Sequence, residues 1–89
     1  MIRETVAVIN KLGLHARASA KLVSTALRFQ SQFTLTKDGQ SVNGKSIMAV
    51  MTLGAKQGSQ LCLELDGPDE DEMRTALIKL IDGKFGELE

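Results

Sequence analysis

Residues 60–66 read QLCLELD, and this alternation constrains the fold more than any other stretch of the chain. Leu61, Leu63 and Leu65 point one way, and Gln60, Cys62, Glu64 and Asp66 the other. Such a strand wants an apolar layer on one side and water on the other. Two more stretches repeat the pattern. In IRETVAVI (2–9), Ile2, Glu4, Val6 and Val8 alternate with Arg3, Thr5, Ala7 and Ile9, and SQFTLT (31–36) alternates Phe33 and Leu35 with polar residues. Asp38-Gly39 supplies hairpin-turn chemistry, after which QSVN (40–43) returns as a short strand.

Between the strands the period changes to that of a helix. Over 16–28, Ala16, Ala20, Val23 and Leu27, with Leu22 and Ala26 beside them, form an apolar stripe and leave Lys21, Ser24 and Arg28 to water. Ser46 precedes IMAVMTL, a short apolar helix that Gly54 stops. After the Gly67-Pro68 break, Asp69 and Glu72 make a capping-box-like start. Met73, Ala76, Leu77, Leu80 and Ile81 then share a face, up to Gly83. The order β-α-β-β-α-β-α predicts an α+β two-layer fold, a largely antiparallel sheet with one face under helices.

At 89 residues the chain has room for one domain. Its one cysteine, Cys62, sits on the polar side of its strand, excludes an internal disulfide and suits a reducing compartment. No run of 18 apolar residues occurs and MIRETVAVIN lacks a signal-peptide core, so a soluble cytoplasmic protein without membrane insertion is expected. The absence of Trp and Tyr argues against a base-stacking nucleic-acid surface. Charge is unevenly spread along the chain. Residues 1–45 carry seven Lys/Arg against two Asp/Glu, and residues 46–89 carry four against nine. A basic face for an anion or an acidic partner would result if folding kept the halves apart.

The single histidine, His15, stands in NKLGLHARASAKLV (10–23), between a glycine-marked loop and the first helix. A helix starting at Ala16 makes His15 the N-cap, so unpaired first-turn N–H groups and the positive end of the helix dipole converge beside it. Positive potential there disfavours the imidazolium, so a neutral ring with one nucleophilic nitrogen is expected near pH 7. Arg17 adds a planar fork suited to phosphate oxygens. Histidine is a poorer cap than Ser, Thr, Asp or Asn, at a cost of about 1 kcal/mol. Local chemistry therefore fits phosphoryl transfer but also fits ordinary surface. A metal role has no second ligand nearby.

NKLGLHARASAKLV resembles the active-site segment of the histidine-containing phosphocarriers, the HPr family of the phosphoenolpyruvate-dependent sugar phosphotransferase system. GKSIMAVMTLGAKQG (44–58) is similar to the family's second signature, centred on Ser46, and LELDGPDEDEM to the run into its last helix. The resemblance spans essentially the whole chain. It implies the family's open-faced β-sandwich, four antiparallel strands covered on one face by three helices. It also implies a phosphocarrier without turnover of its own or a cofactor. His15 would take a phosphoryl group on Nδ1 from phospho-enzyme I and pass it to the A domains of sugar-specific enzyme II permeases. Arg17 would bind the phosphate, and the N–H groups of Ala16, Arg17 and Ala18 would cradle it.

By the same resemblance Ser46 is a site for a regulatory HPr kinase/phosphorylase, where a phosphate would add about −2 charge beside the docking surface. Ile47, Met48 and Met51 would form a forgiving apolar patch beside His15, with Lys21 and Lys45 as a basic rim. A monomer is the expected state. The chain departs from the family's usual His-Ala-Arg-Pro in having Ala18, which gives up a fixed φ but adds a first-turn donor. Two alternatives share the fold: a carrier of the nitrogen-related phosphotransferase branch, and a non-phosphorylated regulatory binding module. Phosphate transfer to a sugar-specific A domain separates the first, and an unaffected His15→Ala protein would mark the second.

Overall fold

The computed structural model describes residues 1–89. In chain order it has β1 (Ile2–Ala7), α1 (Ala16–Ala26), β2 (Gln32–Lys37), β3 (Gln40–Asn43), α2 (Ile47–Thr52), β4 (Gln60–Asp66) and α3 (Glu70–Asp82), closed by a 3-10 turn, Lys84–Gly86. No periodicity in the sequence announces that last turn. The strands form one antiparallel sheet in the order β1-β4-β2-β3. β4 therefore lies inside the sheet, with Leu63 opposite Glu4 of β1 on one side and Leu35 of β2 on the other.

The period-two reading of the strands holds in three dimensions. Leu61, Leu63, Leu65, Phe33 and Leu35 are all buried under the helices. The opposite face meets water, where Arg3 and Glu64 pair across strands at 3.8 Å. Asp38 and Gly39 both take positive φ (51° and 80°), the geometry of a two-residue hairpin turn, and Lys37 faces Gln40 directly across it. Leu22, Val23 and Ala26 of α1, Val50 of α2, and Met73, Leu77 and Ile81 of α3 complete a core of 18 buried apolar residues. Phe85, from the 3-10 turn, is its largest fully buried side chain.

Two local expectations are corrected. The inner stripe of α1 consists of Ala18, Ser19, Leu22, Val23 and Ala26, whereas Ala16 and Leu27 are exposed. The helix is thus turned so that the 18/22/26 row, at i+4 spacing, lies on the sheet. The capping box at α3 does not form. Asp69 is the N-cap but its side chain caps nothing. Its carboxylate instead accepts from the Ser31 hydroxyl, the Ser31 N–H (2.9 Å) and the Gln30 N–H (2.9 Å), tying the α1–β2 loop to the start of α3. Three converging donors outcompete the single first-turn N–H that a cap would supply.

α1 and α2 run antiparallel on the sheet. The Lys45 ammonium, next to the start of α2, donates to the Phe29 carbonyl beyond the end of α1 (2.7 Å). At the other end, Leu14 N–H donates to the Ala55 carbonyl (2.8 Å). The start of α1 therefore meets the end of α2, which decides what can surround His15.

Candidate functional site at the start of α1

The loop before α1 is rigid for identifiable reasons. Asn10 is buried and its amide donates to the Gly13 carbonyl at 2.9 Å. Gly13 has φ 67°, and a Cβ there would stand 2.5 Å from the Ala55 carbonyl oxygen. Only glycine meets both demands, the left-handed backbone and the close approach. Leu14 is then pinned in the core, and the Ser19 hydroxyl donates to its carbonyl (3.0 Å). The chain leaves this anchor extended at His15 (φ −71°, ψ −180°) and turns into the helix.

His15 is the N-cap, as its place in the sequence implies, and its imidazole is the capping group. Nδ1 accepts from the Arg17 N–H at 3.3 Å, while Nε2 meets the Glu87 carboxylate. An acceptor role at Nδ1 and a carboxylate at Nε2 require the same tautomer, assigned from these partners: proton on Nε2, lone pair on Nδ1. The side chain remains 29% exposed. At 3.3 Å the Arg17 contact is long and weak, so the lone pair can be released to an incoming electrophile.

Glu87 is the residue at this site that sequence reasoning misses. Its second oxygen accepts from the Asn10 amide at 2.9 Å, so one buried asparagine braces both the loop and the carboxylate. The Asn10 bond, followed by the His15 bond, holds the Glu87 carboxyl below its ordinary range, against the opposing effect of desolvation. Glu87 is thus an ionised partner. The available signal is an aromatic, Phe85, in the tail KFGELE, which marks a tail docked on the core.

The remaining candidates divide into two groups. The Arg17 guanidinium enters none of the molecule's ion pairs. It lines an open cleft of about 560 Å³ with Lys11, Lys21, Glu87 and Glu89, where basic residues of the first half meet acidic residues of the second. Folding thus mixes the two charge classes at the site. Ala16 and Arg17 are exposed. Ala18 is fully buried and its N–H has no protein acceptor, so the expected third donor of the cradle is sealed into the core layer.

Lys21 lies near this end, its ammonium donating to the Phe85 carbonyl at 2.6 Å. Lys45 and Ser46 lie at the far end of α1, which at 11 residues spans about 16 Å. Lys45 therefore borders the start of α2, at the opposite end of that helix from His15. The Ser46 hydroxyl caps α2 by accepting from the Ala49 N–H (3.3 Å). Ile47, Met48 and Met51 (40%, 77% and 41% exposed) share the outer face of α2, with Met51 towards the His15 end. Val50 and Leu53 turn inward, as expected.

The candidate site on this open-faced α+β sandwich is thus an imidazole, 29% exposed, that caps a helix beside a guanidinium outside every ion pair, an arrangement suited to holding an anion. Comparison with known proteins agrees. Residues 2–83 match the family described as PTS HPr component phosphorylation site. The phosphocarrier protein HPr of Cupriavidus necator is 53% identical over 87 residues, covering 98% of each chain. The crystal structure of HPr-C-His from Thermoanaerobacter tengcongensis superposes with a TM-score of 0.94 at 48% identity, covering 98% of each chain. An HPr dimer from the same organism gives 0.79 at 48% identity, over 98% of this chain and all of that one. The chain belongs to the HPr family of phosphotransferase-system phosphocarriers.

Proposed function

We propose that this chain is the relay between phospho-enzyme I and the A domains of sugar-specific enzyme II permeases, carrying the phosphoryl group on Nδ1 of His15. The observation that carries this reading is the ring's tautomer, with its lone pair on Nδ1 at the open N-terminus of α1. The Nδ1 pair attacks phosphorus in line with the departing group, the bond to the donor breaks, and the Nε2 proton stays in place. The phosphoryl group displaces the Arg17 N–H from the Nδ1 lone pair, and that N–H turns to a phosphate oxygen. The Arg17 side chain, free of other partners, closes on the remaining oxygens, with the Ala16 N–H nearby. Transfer outward reverses these steps, so the protein is a carrier with no turnover of its own, acting in the cytoplasm as a monomer.

Docking would use the outer face of α2, where Ile47, Met48 and Met51 offer adaptable apolar contacts, with Lys45 at the start of that helix and Lys21 at the His15 end as its basic rim. Ser46 is the candidate regulatory site. A phosphate there would act on the docking face of α2 and not on the His15 chemistry, given the length of α1 between them. Accordingly, Ser46→Asp should slow phosphate uptake from enzyme I by weakening binding, and uptake at the wild-type rate would remove that role. The decisive experiment incubates the protein with enzyme I, magnesium and labelled phosphoenolpyruvate. Acid-labile label should appear and be absent in His15→Ala. Label retained by that variant would overturn the proposal.

A further inference from the structure

The family match ends at residue 83, and the segment beyond it is a strap built to reach the site. Lys84, Phe85 and Gly86 are consecutive residues in the left-handed region (φ 57°, 55° and 80°). Two of them are not glycine, so the turn is intrinsically unfavourable and persists only because its surroundings hold it. Those surroundings are the burial of Phe85 and the bond from Lys21 to the Phe85 carbonyl. The reversal sends Glu87 back to Asn10 and His15, and it brings Glu89 to Lys11 (3.5 Å between side chains).

We infer that Glu87 is a positioning residue for phosphoryl release: the strap delivers a counter-charge that keeps the proton on Nε2 while Nδ1 carries phosphate. The inference rests on the relay function proposed above. When an acceptor attacks phosphorus, the P–Nδ1 bond breaks and its electron pair returns to Nδ1. With Nε2 protonated, the ring leaves as neutral imidazole; without that proton it would have to leave as imidazolate, a far poorer leaving group. Glu87 is ionised at neutral pH, held below its ordinary value first by the Asn10 bond. The other charged groups lining the cleft with Glu87 are Arg17 and Lys21 of α1 and, from the loop and tail, the mutually paired Lys11 and Glu89. Glu87 is the one anion that touches the ring.

The test follows loss of phosphate to water from purified phosphorylated wild type, Glu87→Gln and Glu87→Asp at pH 8 and pH 5. Glu87→Gln should release phosphate about tenfold more slowly at pH 8, the equivalent of about one pH unit in proton occupancy. At pH 5, where protons are about a thousandfold more abundant than at pH 8, it should match wild type. Glu87→Asp, which keeps the charge, should stay within about twofold of wild type at both pH values. Equal rates for wild type and Glu87→Gln at pH 8, or the same slowing at both pH values, would overturn the inference. A wild-type protein that takes no phosphate from enzyme I would instead overturn the relay function itself, and this inference with it.

Discussion

Replacing Phe85 with alanine tests whether the strap is anchored by burial. The side chain is 1% exposed and belongs to the central core cluster. Phe→Ala changes at such sites cost about 3–5 kcal/mol through lost transfer energy and the cavity left behind. Some of this returns if the tail lets go, because Lys84 and Phe85 then leave the left-handed region, worth about 1–2 kcal/mol each. The net loss expected is about 1–3 kcal/mol. With an unfolding entropy of about 2.1 cal/mol/K per residue, an 89-residue chain should melt about 5–15 °C lower. Circular dichroism melting measures this directly. The same variant should show the slowed phosphate release at pH 8 expected of Glu87→Gln, because the carboxylate has lost its tether. A melting shift below about 5 °C with wild-type release would refute the claim that Phe85 holds the strap.

Other expectations rest on single contacts. A Cβ at Gly44 would stand 2.2 Å from Cδ2 of the buried Phe33, so Gly44→Ala should cost about 1–3 kcal/mol by overpacking, read from urea unfolding. Asp69 is held below its ordinary value of 3.8, chiefly by the Ser31 hydroxyl and then by the Gln30 N–H. Its stabilising effect is therefore full above about pH 4 and lost as pH falls through its folded value. The melting-temperature gap between wild type and Asp69→Asn should shrink below about pH 4, and a gap constant down to about pH 2 would count against the Ser31 tie. Ala18→Pro removes a buried N–H without an acceptor and fixes a first-turn φ, so melting should rise by about 2–5 °C. A fall would mean that the proline ring does not fit the layer under α1.

Much of this architecture is legible in the sequence because it rests on local periodicity. The Leu61/63/65 row, the Asp38-Gly39 hairpin and the Ser46 cap each depend on residues within a few positions of one another, so sequence spacing carries them. His15 as N-cap is readable for the same reason. The phase of α1 is less so, since alanines at 16, 18, 20 and 26 fit more than one face and only packing on the sheet selects the 18/22/26 row. Long-range polar contacts are not readable at all. Asp69 abandons its own helix for Ser31, 38 positions away, and Glu87 reaches His15 across 72. No periodicity connects such pairs; they arise from the left-handed turn at Lys84–Gly86 and from a sheet that brings the α1–β2 loop beside α3.

Nitrogen-15 and phosphorus NMR of the phosphorylated protein bears most directly on the central claim, which is that the His15 lone pair lies on Nδ1. Phosphorus should couple to Nδ1 of His15, with the proton retained on Nε2. Coupling to Nε2 instead, or phosphate carried on any other residue, would contradict it.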